Sequence, residues 1–128
     1  MAAMSNYLEN ALVNATLRNT SYTTPATVYV GLYTTDPTDA NTGTEVSGGS
    51  YARVAATFAA PSNGASVTNA DVTFAVATAS WGTVAYFGIS DALSGGNLLY
   101  HGALTVSKTI STGDVLKITS GNLSVTLA

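Results

Sequence analysis

The sequence predicts a mainly β protein, a single β-sandwich or jelly-roll-like domain with a short N-terminal helix. Three observations predict it. From Thr27 onward, short runs alternate apolar and polar residues with the period of a strand. Turn-forming clusters separate the runs at close intervals: Pro61-Ser62-Asn63-Gly64, Ala79-Ser80, Ser94-Gly95-Gly96-Asn97 and Thr112-Gly113-Asp114. The 128 residues suit one domain, and at that size folding hides roughly two-thirds of the unfolded surface, so one core suffices without cysteine staples.

Taken in order, residues 1–20 read as a helical arm and residues 21–128 as the β-sandwich domain. In the arm, Leu8, Ala11, Leu12 and Ala15 recur at helical spacing. Asn6, followed three residues later by Glu9, reads as an N-terminal capping pair, and Asn19-Thr20-Ser21 ends the helix. Val28, Val30 and Leu32 then alternate with Tyr29, Gly31 and Tyr33. Both sets are apolar or aromatic, which predicts a strand covered on both faces. Thr35 to Asp39 turns the chain, and Asp39 to Ser50 holds no large apolar residue except Val46, so it reads as an exposed loop.

Further strands are expected around Val54-Ala56-Phe58, Val72-Phe74-Val76, Gly82 to Ile89, and Leu98 to Val106, the last interrupted by Gly102. Leu116 and Ile118 stand on one side of Ser120-Gly121-Asn122, with Leu123, Val125 and Leu127 on the other, which reads as a C-terminal hairpin. The expected core is Val28, Val30, Leu32, Val72, Phe74, Val76, Val84 and Phe87. The arm and the loop Thr35 to Ser50 are expected to contact neighbouring subunits.

Charged residues make up only 9% of the chain, and the net charge is −3. The four basic residues, Arg18, Arg53, Lys108 and Lys117, are scattered. They form no patch to neutralise phosphates, which argues against nucleic acid and against an anionic membrane surface. No apolar run approaches the roughly 20 residues that span a bilayer. Met1 to Thr20 lacks the charged leader and apolar stretch of a signal peptide, so the sequons at Asn14, Asn19 and Asn122 are read as chance. A thinly charged, Thr/Ser-rich surface suits strands and subunit contacts, because little charge must be desolvated.

Catalytic chemistry finds little support. His101 is the one histidine, in the run Leu99-Tyr100-His101-Gly102, and no cysteine, second histidine or Gly-x-Ser-x-Gly turn accompanies it. It reads as structural. The carboxylates Glu9, Asp36, Asp39, Glu45, Asp71, Asp91 and Asp114 mostly sit in turn contexts, and nothing selects two of them as a glycosidase pair. Asp36, Asp39, Asn41 and Glu45 cluster in one loop, but their spacing is not that of an EF-hand. Gly48-Gly49 lacks the following Lys-Ser/Thr of a phosphate loop and reads as a flexible turn. Tyr7, Tyr22, Tyr29, Tyr33, Tyr51, Trp81, Tyr86, Phe87 and Tyr100 could form a sugar platform; core or interface positions explain most of them better. The expectation is no enzyme, no cofactor, and no catalytic, cofactor-binding or metal residue.

Several stretches carry a resemblance: Asn6 to Asn10, Ala26 to Pro37, Gly43 to Arg53, Trp81 to Val84, Phe87 to Ile89, and Gly96 to Gly102. Together, in this order, they resemble a family of small tailed-bacteriophage virion proteins often labelled tail fibre protein. The resemblance implies a non-enzymatic structural protein of the virion. Proteins of this size and strand content also serve as capsid cement or decoration proteins, often jelly rolls. A fibre usually needs a long shaft or repeats, and the sequence shows neither. The expectation is therefore a cement protein outside the head lattice, with the major capsid protein and copies of itself as partners. The alternative is a tail fibre or other tail component contacting the host surface, where a glycan becomes a further partner.

Overall fold

The computed structural model describes residues 2–127. Met1 and Ala128, the outer ends of the two expected segments, lie outside the described residues. The chain is mainly β, with one short N-terminal helix, as the sequence predicts. The elements are β1 (Ala3–Met4), α1 (Asn6–Leu17), β2 (Val28–Tyr33), β3 (Val54–Ala56), β4 (Ala65–Val67), β5 (Val72–Thr73), β6 (Gly82–Ser90), β7 (Leu98–Ile110), β8 (Lys117–Ile118) and β9 (Ser124–Thr126). Five of them form an antiparallel sheet in the order β1-β7-β6-β2-β3. Two short antiparallel ladders, β4 with β9 and β5 with β8, supply the rest of the β structure.

The register sorts the side chains. Val30 lies opposite Ile89, and Leu32 opposite Phe87, so these four share one face of the sheet. Val72, Phe74, Leu116, Leu123 and Val125, in and around the short ladders, belong to the same buried cluster. The core is therefore the space between the five-stranded sheet and the paired segments 65–73 and 117–126. Those segments run antiparallel throughout, with a one-residue slip: Ala65 pairs with Thr126, whereas Thr73 pairs with Lys117. The backbone bonds Thr68 N–H to Leu123 O and Gly121 N–H to Thr68 O bridge the slip, both about as long as an ordinary bond at 3.0 and 2.8 Å.

The last expected hairpin is thereby corrected. Ser120-Gly121-Asn122 does turn the chain, but β8 and β9 do not pair with each other. Each finds a partner in the 65–73 segment, because that choice lets Leu116, Leu123 and Val125 reach the common core.

One core residue is also corrected. Val76 is 54% exposed. β5 stops at Thr73, and the chain bends so that Ala77 rather than Val76 points inward, with Ala77 N–H bonded to Asp114 O at 2.9 Å. A period of two persists only while a strand does. Val28 is half-buried, and the other six expected residues are buried.

The N-terminal segment is tied into the sheet. β1 pairs with β7, Ala3 opposite His101 and Met4 opposite Tyr100. The helix cap is Ser5, one residue before the expected Asn6. Its buried hydroxyl accepts from Leu8 N–H at 3.2 Å and donates to Leu98 O. Leu8 is the buried residue of α1. Asn19, with φ of 51°, takes the left-handed conformation that follows the end of the helix.

This packing sets a stability test. Replacing the fully buried Phe74 with Ala should cost about 3–5 kcal/mol, whereas Val76→Ala should stay within about 0.5 kcal/mol of wild type. Chemical denaturation of the two variants checks both, and equal losses would place the core wrongly.

Candidate functional site

The second face of the sheet carries the polar chemistry. Gly31 and Gly88 lie side by side on β2 and β6, with His101 next in the row on β7. Both glycines are needed for close approach. A Cβ on Gly31 would lie 2.7 Å from a Glu45 carboxylate oxygen, and one on Gly88 would lie 2.7 Å from the Tyr33 ring. The bare backbone lets Glu45, Tyr51 and Arg53 lie flat on the sheet.

The expected exposed loop, Asp39 to Ser50, is exposed along most of its length, and a few residues bond it to the edge of this sheet. Pro37 and Val46 are buried. Val46 N–H bonds to Leu32 O at 3.0 Å and Thr34 N–H to Thr44 O at 3.0 Å. Leu32 N–H donates to the Tyr51 hydroxyl at 2.9 Å. β3 pairs with β2 from Val28 to Val30, and the loop satisfies the same edge beyond it. The sequence hid this because the anchors are few, namely Pro37, Val46 and one carboxylate.

Glu45 is the centre of the loop. Arg53 grips it with two bonds, Nε to Oε2 and Nη2 to Oε1, both 2.8 Å. The Tyr51 hydroxyl donates to Oε2 at 2.6 Å. The remaining guanidinium nitrogen, Nη1, donates to Ala92 O at 2.8 Å and Gly95 O at 2.9 Å, capturing the β6–β7 turn. The Tyr51 ring stacks on Phe74 with centroids 6.3 Å apart and meets Trp81 edge-on at 5.4 Å. Trp81 Nε1–H in turn donates to Gly49 O at 2.9 Å. Gly49, at φ of 58°, has no room for a Cβ against that indole, so a tight turn requires a glycine there.

The electrostatics agree with a closed network. Burial opposes ionisation of Glu45, but the bonds from Arg53 and Tyr51 and the Arg53 charge outweigh it and hold the carboxyl below its ordinary value. Burial, together with the bond it donates to Glu45, pushes the Tyr51 phenol far up, so it remains a donor. The bond to Glu45 raises Arg53 despite its burial.

His101 stands beside this network, buried and turned toward carboxylates. Its Nε2 is 2.7 Å from Asp39 Oδ1, and Nδ1 is 3.8 Å from Asp36 Oδ1. Among the described residues no hydroxyl hydrogen-bonds to the ring. Of the four loop residues weighed as cation ligands, Asp36 and Asp39 turn to His101, while Glu45 turns to Arg53. Arg53 and Tyr51 were missed as a pair with Glu45. The available signal was an arginine within an apolar β run of a chain with 9% charge, which needs a nearby carboxylate.

Most of the aromatic residues fall as expected. Trp81, Tyr33 and Phe87 are buried, and Tyr29, Tyr51, Tyr86 and Tyr100 are half-buried. Tyr7 and Tyr22 differ, because they border a surface cleft between α1 and the coil that follows it.

With this geometry, the chain was compared with known proteins. Residues 3–126, nearly the whole chain, match the family described as podophage GP4 fiber I protein gp80. The chain belongs to the gp80 fibre family. No curated protein matches it. Membership of the gp80 family makes it a bacteriophage virion structural protein.

Acid should reveal the Glu45 site. An unfolded glutamate titrates near 4.5, and the folded one lies lower. The contribution of Glu45 to stability is therefore complete above about pH 4.5 and is lost as pH falls through the folded value. The wild-type protein should lose its advantage over Glu45→Gln as denaturation curves are taken downward from that pH. A difference that does not change with pH would show that Glu45 is not held as an ion. Tyr51→Phe, which strips a partner from both Leu32 N–H and Glu45, should cost about 1–3 kcal/mol by the same measurement.

Proposed function

We propose that this protein is a non-enzymatic subunit of a phage tail fibre, assembling with copies of itself and with other tail components. The observation that carries the reading is the match to a fibre protein family across residues 3–126. The polar constellations support a structural role: Glu45 accepts three bonds from Tyr51 and Arg53, and the His101 ring faces two carboxylates. The sparsely charged Thr/Ser surface supports subunit packing, because neutral hydroxyls can exchange water for a neighbour at little desolvation cost. The cement alternative shares the virion location and the same framework, and differs in where the protein sits.

Immunogold labelling of intact particles separates the two. Gold along the tail is the expected result. Gold over the head would replace the fibre reading with the cement reading.

A further inference from the structure

A surface cleft of about 390 Å³ lies between α1 and the coil at residues 20–23. Its volume falls in the roughly 300–1,000 Å³ range of small-molecule sites. The helix turns one face into it: Tyr7, Asn10, Ala11 and Asn14 recur at the three- and four-residue steps that align side chains on a helix. Ser21 and Tyr22 close the opposite side. Tyr7 is 42% exposed, whereas the other tyrosines are buried or half-buried. No charged residue lines the cleft. Among the described residues, the side chains of Asn10, Asn14, Ser21 and Tyr22 make no hydrogen bond to the protein, so their donors and acceptors face solvent.

These features define a ligand class. A pyranose ring has an apolar C–H face and a rim of neutral hydroxyls. The exposed Tyr7 ring and the half-buried Tyr22 ring cover the first, and carboxamides, which both donate and accept, match the second. The absence of lysine and arginine disfavours phosphate, sulfate or uronate groups. Ala11 keeps the floor open. We propose that this cleft binds a neutral saccharide unit, with Tyr7 and Tyr22 as the ring platform and Asn10 and Asn14 as the hydroxyl readers. The inference deepens the fibre reading and rests on it for the source of the sugar, a host-surface glycan.

The test uses the full chain on an array of neutral and acidic oligosaccharides, followed by titration of any neutral sugar retained. Tyr7→Ala and Asn14→Ala should each weaken that sugar about tenfold or more. Ala11→Trp, which fills the floor, should abolish binding while the melting temperature stays near wild type. Thr105→Ala, far from the cleft, should change nothing. Purified lipopolysaccharide and capsular polysaccharide, tested as competitors, identify which surface polymer carries the sugar. Retention of no neutral sugar, preference for acidic glycans, or equal affinity in all variants would each overturn the proposal. Gold along the tail without saccharide binding removes the site and leaves the fibre reading. Saccharide binding with gold over the head does the reverse.

Discussion

One half-buried carboxylate organises the sheet face that the rest of the chain folds around. Glu45 accepts two bonds from Arg53 and one from Tyr51. Removing a charge from water is expensive, and such an ion survives only where several donors replace the lost hydration. Those donors come from a turn that doubles back over Gly48-Gly49, so the charge dictates the turn. The turn then places the Tyr51 ring against Phe74 and Trp81, and Arg53 reaches across to the β6–β7 connection. One ion pair thus joins loop, sheet edge, core and a distant turn. Its value lies in fixing one arrangement more than in raw stability, because the cost of desolvating a largely covered ion pair offsets much of its attraction.

The same network explains which parts of the fold were legible in the sequence. β2 was legible because both of its faces carry large apolar or aromatic groups, and β6 and β7 because their runs are long. Val72 and Phe74 were read correctly as core, while Val76 was not. Alternation cannot show where a strand ends when the next residue, Ala77, is apolar too. The C-terminal turn was visible at Ser120-Gly121-Asn122, but the partners of β8 and β9 were not. Turn chemistry is local, whereas the pairing with residues 65–73 is decided by which side chains reach the shared core. The loop was read correctly as exposed, but its attachment to the sheet edge was hidden for a related reason. Three anchors in a Thr/Ser/Gly-rich stretch leave almost no hydropathy signal, although together they replace a strand along the edge of β2. Tyr7 and Tyr22 looked like the other tyrosines, and only the position of the helix set them apart.

Order passes from this network to the N-terminus through few contacts. The ordered loop carries Asp39, whose side chain meets His101 and whose backbone oxygen accepts from Asn6 N–H at 2.9 Å. Ser5 N–H bonds to Leu99 O at 2.8 Å, and the Ser5 hydroxyl caps the helix. The first turn of α1 is therefore held both by β7 and by the loop. Its far end is open to solvent, with Leu17 79% exposed. A helix clamped at one end presents its first three turns at a fixed distance from the sheet. Tyr7, Asn10 and Asn14 lie in those turns, and Tyr22 follows on the coil they face. A weak polar ligand gains most when groups that bind it need no ordering on contact, since each immobilised side chain otherwise subtracts from affinity. The loop that carries Glu45 thus also helps to position the helix whose side chains line the cleft.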